Sequence, residues 1–259
     1  MLASGVATVG EPLLKVDQIS QQFGGLRAVD SASFHVEAGS ITALIGPNGA
    51  GKTTLFSIIS GFQKPTQGHV YFAGQDITGM APHELARRGL ARTFQIVQPF
   101  VGLTVRENIA VGAYLRHRDR VAAFDAAEKI AQRLGLSRYL DQSASTLTVG
   151  ARKRLELARA LATSPRLLLL DEVMAGLNPS EVRDLLPTIR EIRDQGTTIL
   201  LIEHVMQAVM HLSDRIHVLA EGKIIASGAP ESVVGNAKVI EAYLGEGAAV
   251  QYGGVARLK

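Results

Sequence analysis

The chain has 259 residues, of which 46% are hydrophobic and 20% charged. This composition is typical of globular proteins and excludes a disordered chain. The length predicts one or two domains with a sizeable core. Lys and Arg (27) exceed Asp and Glu (24) by only three, so charge gives no case for a nucleic-acid partner. The absence of cysteine excludes disulfides, thiolate zinc sites and cysteine nucleophiles.

Neither a membrane span nor a signal peptide is predicted. The longest apolar runs, such as Leu167 to Leu170, have four residues, against the 18 or so that a spanning helix needs. Residues 1–11 lack a basic segment followed by a sustained apolar one. We therefore expect a cytoplasmic chain, with flexible ends at residues 1–11 and 246–259.

Taken in chain order, the first elements are strands that lead into a helix. Leu13 to Ile19 and Ala32 to Glu37 alternate, or nearly alternate, apolar and polar residues, as half-buried strands do. Ile41 to Ile45 is a short apolar run, typical of a strand buried on both faces. It ends at a glycine-rich turn, after which Thr53 to Ser60 reads as a helix.

The middle of the chain predicts a helical insertion. No buried strand is evident from residue 105 to 162. Ala122 to Leu134 is rich in alanine with charges on one side, and Arg152 to Ala162 places apolar residues on one face. We expect helices here, inserted within an α/β core.

The last third predicts more of that core. Arg166 to Leu170 and Thr197 to Ile202 are buried-strand candidates, and the residues between them have helical spacing. Pro187 is expected to kink or shorten that helix. Strand, helix, strand in this order indicates a parallel sheet with crossover helices. Ile216 to Leu219 and Ile224 to Ala226 flank a turn with glycine and predict a hairpin.

The glycine-rich turn carries the clearest motif. Gly46 to Thr53 matches G-x-x-x-x-G-K-[ST] and lies between a buried strand and a helix, the context that a phosphate-binding loop requires. Its backbone N–H groups and the helix N-terminus would surround phosphate oxygens. Lys52 is expected to reach the terminal phosphates, and the Thr53 hydroxyl to face Mg²⁺.

Two carboxylates follow the second buried strand. Asp171 and Glu172 come directly after Leu167 to Leu170, at the strand end where open α/β sheets bind ligands. Asp171 is expected to serve Mg²⁺, and Glu172 to polarise the attacking water. His204 follows the strand that ends at Ile202 and could be structural or catalytic. Glu203 and His204 have no third ligand at suitable spacing, so a site made of metal chemistry alone is rejected.

A basic run lies at the start of a predicted helix. Arg152, Lys153 and Arg154 would oppose the helix dipole, at about 0.3–1 kcal/mol each when exposed. Either they form a solvated face, or an anionic neighbour such as a partner's nucleotide offsets the repulsion. The sequence leaves both alternatives open.

Six motifs occur in the order found in ATP-binding subunits of ABC transporters, a family that the chain resembles over about residues 13–245. In order they are GPNGAGKTT, TFQ ending at Gln95, LTVGA at Leu147 to Ala151, LLLLDE, AGLN at Ala175 to Asn178, and His204. Further segments resemble the larger ATPase subunit of high-affinity branched-chain amino acid importers. They are QFGGLRAVD, ARTFQ, LTVRENI, DEVMAGLNP, LLIEHVM and IEAYLGE.

The resemblance implies a fold and a domain organisation. It implies a P-loop NTPase core of class α/β with a mainly parallel sheet, an antiparallel β part near the N-terminus and a helical subdomain insertion. The nucleotide-binding core would comprise residues 12–97 and 163–245, and the helical signature subdomain residues 98–162.

The resemblance also implies roles for individual residues. Phe23 would stack on adenine, and Gln95 would contact Mg²⁺ and the lytic water. His204 would hold the γ-phosphate, while the signature at Thr148 to Ala151 would contact the nucleotide bound to the opposite subunit. The residues expected to wrap the phosphates are Gly46, Pro47, Asn48, Gly49, Ala50, Gly51, Lys52, Thr53 and Thr54.

The implied activity is ATP hydrolysis that energises an importer, with ATP and Mg²⁺ as cofactors. The implied partners are a second ATPase subunit or a second copy of this chain, two membrane permeases and, indirectly, an extracytoplasmic solute-binding protein. The chain would then lie at the cytoplasmic face of the inner membrane, held there by the permeases.

Several residues depart from the family pattern. The signature, usually Ser-Gly-Gly-Gln, reads Thr148, Val149, Gly150 and Ala151, so the glutamine amide is missing. A positive φ would be costly for Val149. Val173 replaces the usual proline after the catalytic glutamate. From the changes at Val149 and Ala151 we expect a weak donated signature, with slow hydrolysis by this subunit alone.

Two alternatives remain. The importer could carry another small polar solute, such as an amide, urea or another amino acid, because other chains select the solute. The second alternative is a soluble ABC ATPase that acts on ribosomes or DNA. Such proteins usually carry twin cassettes or long coiled-coil insertions, whereas this chain has one cassette and a short helical insertion.

Overall fold

A computed structural model describes residues 11–94 and 98–244. The strands of this part of the chain are β1 (Leu14–Phe23), β2 (Leu26–Val36), β3 (Ile41–Ile45), β4 (Gln67–Phe72), β5 (Gln75–Asp76), β6 (Leu90–Arg92), β7 (Leu167–Asp171), β8 (Thr198–Ile202), β9 (Arg215–Ala220) and β10 (Lys223–Gly228). The α-helices are α1 (Lys52–Ile59), α2 (Pro82–Arg88), α3 (Val105–Ala113), α4 (Arg120–Arg133), α5 (Val149–Ala162), α6 (Pro179–Asp194), α7 (Met206–Leu212), α8 (Pro230–Val234) and α9 (Ala237–Leu244).

The strands form two sheets. One is antiparallel with the order β2-β1-β4-β5, and the other has the order β10-β9-β3-β8-β7-β6. In the second sheet, β10 pairs antiparallel with β9, and the remaining neighbours pair in parallel. The α/β class, the mainly parallel sheet and the antiparallel part near the N-terminus are therefore confirmed.

The second sheet lies between two hydrophobic cores because its central strands are buried on both faces. Every residue of β3, β7 and β8 is buried. Side chains on one face, such as Leu44 and Leu169, join a core with α1 and the antiparallel sheet. Those on the other face, such as Ala43 and Leu168, join a core with α3 to α6. This double burial explains why these strands read as continuous apolar runs.

Helices α3, α4 and α5 pack on one another in the stretch of chain between β6 and β7. Their small buried residues, Ala123, Ala127 and Ala131 of α4, let the helices approach closely. The predicted helical character of this stretch is confirmed. A single antiparallel bridge joins Thr104 to Ser143, ahead of α3 and α5.

Pro187 does not shorten its helix, contrary to one of our two expectations. α6 runs without interruption from Pro179 to Asp194 with Pro187 inside it. Pro187 and Arg183 are exposed, so water can bond to the Arg183 carbonyl that proline leaves without a donor. The hairpin of β9 and β10 is confirmed. The elements that were not predicted individually are β4, β5, β6, α2, α3, α7, α8 and α9.

A search of the described residues for a helix long and apolar enough to cross a membrane finds none.

Candidate functional site

The loop between β3 and α1 has a backbone that only glycine fits at two points. Gly46 has a φ of 154°, and a Cβ there would lie 1.9 Å from the Leu219 carbonyl oxygen of β9. At Gly51, with a φ of 104°, a Cβ would lie 2.4 Å from the Ala28 carbonyl oxygen of β2. The loop is therefore clamped between strands of both sheets, and its shape is set before any ligand binds.

Lys52 is folded back on this loop. Its Nζ donates to the carbonyl oxygens of Gly46 at 2.8 Å and Pro47 at 2.9 Å. Burial lowers the pKa of the Lys52 ammonium, and the carboxylates of Glu172 and Asp171 oppose that shift. A neighbouring cavity of about 290 Å³ is lined by residues of the loop together with Ala28 and Glu172. The phosphate loop and one of the two predicted carboxylates thus share one cavity.

Glu172 begins the turn after β7 in a left-handed backbone conformation, with a φ of 47°. For a residue other than glycine this conformation costs about 1–3 kcal/mol and is common at functional sites. It is fixed from both sides, because the Glu172 N–H donates to the Ile202 carbonyl at 3.0 Å. Lys153 Nζ donates to the Glu172 carbonyl at 3.3 Å. The sequence carried no sign of this conformation.

Asp171, the last residue of β7, is buried in an ion pair with Arg92. Arg92 Nη2 lies 2.7 Å from Asp171 Oδ2, and both side chains are at least 93% buried. The Asp171 N–H donates to Thr93 Oγ1 at 3.1 Å. The end of β6 thus holds both the backbone and the carboxylate of Asp171. Sequence reasoning missed Arg92, which lies 79 residues earlier and is marked only by its place beside the TFQ motif.

His204 and its neighbour Glu203 follow β8 and point to different surroundings. Glu203 is 2% exposed, and its Oε1 accepts from the Met174 N–H at 2.9 Å. Burial raises the pKa of the Glu203 carboxyl. His204 is exposed and lines a cavity of about 480 Å³. Glu203 was not predicted; it ties His204 to the segment between Glu172 and α6.

The predicted signature lies at the start of α5. The Thr148 hydroxyl caps the helix by accepting from the Ala151 N–H at 3.3 Å. A Cβ at Gly150 would lie 2.4 Å from a carboxylate oxygen of Glu181 in α6, so any larger residue there would displace the Glu181 side chain. Thr148 to Ala151 are not among the residues lining the phosphate-loop cavity of this chain.

Our expectation for Val149 is wrong in its premise. Val149 is the first residue of α5 and is not among the described residues with positive φ. Its side chain is 57% exposed. A β-branched residue adopts this helical backbone readily, so Val149 adds no strain of the kind we expected. Ala151 is only 7% exposed and faces the core.

The basic run after the signature is not a solvated face, which was one of our two alternatives; the other, an anionic neighbour such as a partner's nucleotide, stays a prediction. Lys153 is 5% exposed and points at the Glu172 carbonyl rather than at solvent. Arg152 donates to the Ser145 carbonyl at 2.7 Å, ahead of α5. The carbonyl groups of this chain therefore offset part of the helix-dipole repulsion. The apolar periodicity of α5 could not reveal that Lys153 is buried, because its partner is the Glu172 carbonyl at the end of β7.

Two predicted residues remain, and the structure describes Phe23 but not Gln95. Phe23 ends β1 at the tip of the β1–β2 hairpin and is 49% exposed. Ala28 of the same hairpin borders the phosphate loop. Gln95, predicted to contact Mg²⁺ and the lytic water, lies outside the described residues. Its neighbour Phe94 is held by Glu156 of α5, which accepts from the Phe94 N–H.

The arrangement has the parts for phosphoryl chemistry: backbone N–H groups at a helix N-terminus, one lysine, and two carboxylates at a strand end. Within the described residues, no three His, Asp or Glu side chains are grouped closely enough to hold a metal ion by themselves. A divalent cation here would need oxygen ligands from a bound phosphate as well.

Two family models match the chain. One, described as ABC transporter, matches residues 29–175. The other, described as Branched-chain amino acid ATP-binding cassette transporter, matches residues 223–249. The first spans the phosphate loop, the signature and both carboxylates.

Curated relatives match over their whole length. The high-affinity branched-chain amino acid transport ATP-binding protein LivG of Escherichia coli strain K12 is 42% identical over 254 residues, which is 92% of this chain and 100% of the relative. The corresponding protein BraF of Pseudomonas aeruginosa is 41% identical over 255 residues, again 92% and 100%.

Solved structures show the same fold. A nucleotide-free ATP-binding cassette from an ABC transporter matches with a TM-score of 0.83 and 35% identity, covering 91% of this chain and 100% of that one. An ATP-binding cassette of an ABC transporter in its ADP conformation matches with a TM-score of 0.83, 35% identity and coverages of 92% and 100%.

Proposed function

The chain belongs to the family of ABC transporter ATP-binding proteins, and from this we infer that it is the ATP-hydrolysing subunit that energises an importer of branched-chain amino acids. The observation that carries the inference is the shared cavity of the phosphate loop and Glu172. Asp171 precedes Glu172 at the same strand end. The 42% identity to LivG over 92% of the chain supports the solute class.

Nucleotide binding would use groups that the fold has already placed. The loop N–H groups and the N-terminus of α1 would bind the phosphate oxygens. Lys52 would leave the carbonyls of Gly46 and Pro47 for the terminal phosphates. Phe23, half exposed at the hairpin tip, would stack on adenine.

Magnesium fits the oxygen donors at this site. The Thr53 hydroxyl lies at the start of α1, and the Asp171 carboxylate at the end of β7. Both are hard oxygen ligands of the kind Mg²⁺ prefers. We assign these two residues to the ion, together with Gln95 by resemblance. When bound, the ion would neutralise charge on the phosphates.

Glu172 is the group we assign to the attacking water. Its carboxylate would orient the water and take its proton, so that water oxygen bonds to the γ-phosphorus as the bond to the ADP oxygen breaks. The fixed left-handed backbone of Glu172 limits the positions its side chain can reach. His204 would bind the γ-phosphate from the far side, positioned by the contact of Glu203 with the Met174 N–H.

We further propose that the site is completed by a second cassette. Thr148 to Ala151 lie outside the phosphate-loop cavity of their own chain. Val149 projects from the start of α5 and is 57% exposed. A signature that faces outwards can act on a nucleotide held by another subunit. That subunit would be a second, different ATPase or another copy of this chain.

A groove beside the predicted helical unit, residues 98–162, offers a docking place for a permease. A cavity of about 450 Å³ there is lined by Phe94, Gln98, Val111 and Arg159, among others. Phe100 is 44% exposed next to it, and the Arg159 guanidinium lies 4.5 Å from its ring centre. A groove lined by both apolar and charged side chains suits a short amphipathic permease helix. Docking there would hold the chain at the cytoplasmic face of the membrane.

The test of the function is uptake by the complete transporter. Proteoliposomes would contain this chain, its partner ATPase and two permeases, with the solute-binding protein on the opposite side. We expect uptake of radiolabelled leucine that depends on ATP and competes with isoleucine and valine. ATP-dependent uptake of an amide or urea instead, with leucine ignored, would reassign the solute. An absence of association with any permease would contradict the transport function.

The docking groove has its own test. Phe100→Asp places a charge at the edge of the groove, beside Arg159, and is expected to lower uptake at least tenfold while ATP affinity stays the same. Val121→Asp is the control, because Val121 is 71% exposed at the start of α4. Uptake retained in Phe100→Asp would remove this groove from the proposal.

A further inference from the structure

Arg92 is a buried cation that the assigned reaction does not use. It ends β6 and lies directly before Thr93 and Phe94, which lead to Gln95. Its side chain is 7% exposed. A charge buried this deeply needs compensation by an opposite charge and hydrogen bonds.

The partners of Arg92 connect three parts of the site. Nη2 pairs with Asp171 Oδ2 at 2.7 Å. Nη1 donates to Ser57 Oγ at 3.3 Å, on the helix that follows the phosphate loop, and to Ser60 Oγ at 3.0 Å, directly after that helix. The guanidinium carbon lies 5.3 Å from the centre of the Phe94 ring.

The same arginine also borders the docking groove. Arg92 and Phe94 are both among the residues that line it. The guanidinium is further flanked by the rings of Phe56 at 5.8 Å and Phe62 at 5.9 Å. One side chain therefore touches the metal-binding carboxylate, the phosphate-loop helix and the groove.

The charge of Arg92 acts on the carboxylate assigned to Mg²⁺. A guanidinium in contact with a carboxylate neutralises most of its charge, and two cations attached to one carboxylate repel each other in a poorly solvated site. Binding of the ion at Asp171 must therefore weaken the Arg92 pair. Any displacement of Arg92 is passed to Phe94, the ring on which it lies.

We propose that Arg92 is a positioning residue that competes with the divalent cation for Asp171, and that it links metal binding to Phe94 and the docking groove. The proposal rests on the assignment of Mg²⁺ to Asp171 under the proposed function. It names the residue through which occupancy of the metal site reaches the surface that would bind a permease.

The test measures metal affinity rather than turnover. Mn²⁺ serves as the probe, titrated into the ATP-bound chain and followed by its electron paramagnetic resonance signal. Arg92→Met keeps the length of the side chain and removes its charge, and we expect Mn²⁺ to bind about tenfold more tightly. Arg92→Lys, which retains a cation, is expected to stay within about threefold of the unaltered chain. Arg166→Met is the control, since Arg166 lies over the Phe72 ring and does not contact Asp171.

Two further measurements separate the possible failures. Asp171→Asn is expected to weaken Mn²⁺ binding. If Asp171→Asn weakens binding but Arg92→Met binds Mn²⁺ as tightly as the unaltered chain, the competition is refuted and the metal assignment stands. If Asp171→Asn has no effect, the metal assignment itself is wrong. ATP affinity without metal and the melting temperature report whether each variant folds.

A measurement on the unaltered chain covers the case in which Arg92→Met does not fold. The guanidinium NMR resonance of Arg92, assigned with Arg92→Lys, is expected to shift when Mg²⁺ is added to the ATP-bound protein. A resonance that does not move would overturn the proposal.

Discussion

The phosphate side and the signature side of this molecule are built differently. On the phosphate side, which we define as residues 46–54 with Asp171 and Glu172, the Lys52 ammonium and the Asp171 carboxylate already have partners within the chain. Lys52 bonds to loop carbonyls, and Asp171 pairs with Arg92. On the signature side, Thr148 to Ala151, Val149 is 57% exposed and the segment is absent from the phosphate-loop cavity.

The difference shows which chemistry a single chain can carry out. The phosphate side contains the groups that we assign to nucleotide binding and to activation of water. The signature side has a helix start with a threonine cap, and it does not line the phosphate-loop cavity of its own chain. Changes on the phosphate side should therefore act in the isolated chain, and changes on the signature side only in an assembled pair.

The largest expected effect comes from Glu172. Glu172→Gln keeps the size of the side chain and removes the base, so ATP hydrolysis should slow by about 10²–10⁴-fold while ATP still binds. Hydrolysis is measured as phosphate release and binding by isothermal titration calorimetry. Glu231→Gln, on α8, is the control because Glu231 is exposed and outside the cavity. Undiminished hydrolysis in Glu172→Gln would move the base elsewhere, with His204 as the next candidate.

The next effect is on binding. Lys52→Ala removes the ammonium group that bonds to the phosphate loop. Loss of two charge-assisted hydrogen bonds at about 1.5 kcal/mol each should weaken ATP binding by about 3 kcal/mol. Calorimetric titration of the isolated chain measures this change. Lys129→Ala, on the exposed face of α4, should bind ATP as the unaltered chain does. Equal ATP affinity in Lys52→Ala would refute the placement of the triphosphate.

The elements that the sequence predicts are those with a local signal. β3, β7 and β8 are continuous apolar runs because both of their faces are buried. The phosphate loop is recognised because its glycines are required by close backbone neighbours, such as Leu219 at Gly46.

The features that the sequence does not predict are those made between distant segments. The Arg92–Asp171 pair and the Lys153–Glu172 contact join residues 79 and 19 positions apart. The left-handed backbone of Glu172 depends on β8 and α5 together. Val149 shows the opposite error: a family pattern suggested a strained backbone that the helix start does not require.

Acid should destabilise the phosphate side through His217. His217 of β9 pairs with Leu44 of β3, the strand that leads into the phosphate loop. Its Nδ1 lies 2.8 Å from Ser227 Oγ, and its Nε2 lies 3.2 Å from the His35 carbonyl oxygen. Burial lowers the pKa of His217 to about 4, and the charges of Arg215 and His35 add to that shift.

The direction of the pH dependence follows from this shift. The unfolded chain takes up a proton at His217 near pH 6.5, whereas the folded chain does so only near pH 4. The contribution of His217 to the free energy of unfolding is fully present above about pH 6.5 and is lost between pH 6.5 and 4. About 2 kcal/mol is lost by pH 5. Urea unfolding at pH 7.5 and at pH 5 measures how much the free energy of unfolding differs between the two. His217→Gln should reduce this difference by about 2 kcal/mol. An exposed control, His83→Gln, should keep it. An unchanged difference in His217→Gln would assign the acid sensitivity to other groups.

The smallest expected effect, on the signature side, follows from the altered signature. We expect this chain alone to hydrolyse ATP slowly and to become faster when mixed with a second, different ATPase that donates an unaltered signature. Ala151→Gln restores the missing amide, but Ala151 is 7% exposed against the core. The longer side chain must turn outwards to reach a partner's nucleotide, so we expect a gain of no more than about threefold for the homodimer, because overpacking opposes it.

Val149→Gly distinguishes the two departures from the usual signature. Val149 already has a helical backbone, so glycine relieves no strain, and it lowers helix stability by up to about 1 kcal/mol. We therefore expect no increase in hydrolysis from this variant, alone or mixed. Both variants are compared by phosphate release at equal chain concentration, with and without the second ATPase. Faster hydrolysis by Val149→Gly alone would show that the signature must leave its helical conformation to act. The signature side would then need a conformational change as well as a partner, in contrast to the preformed phosphate side.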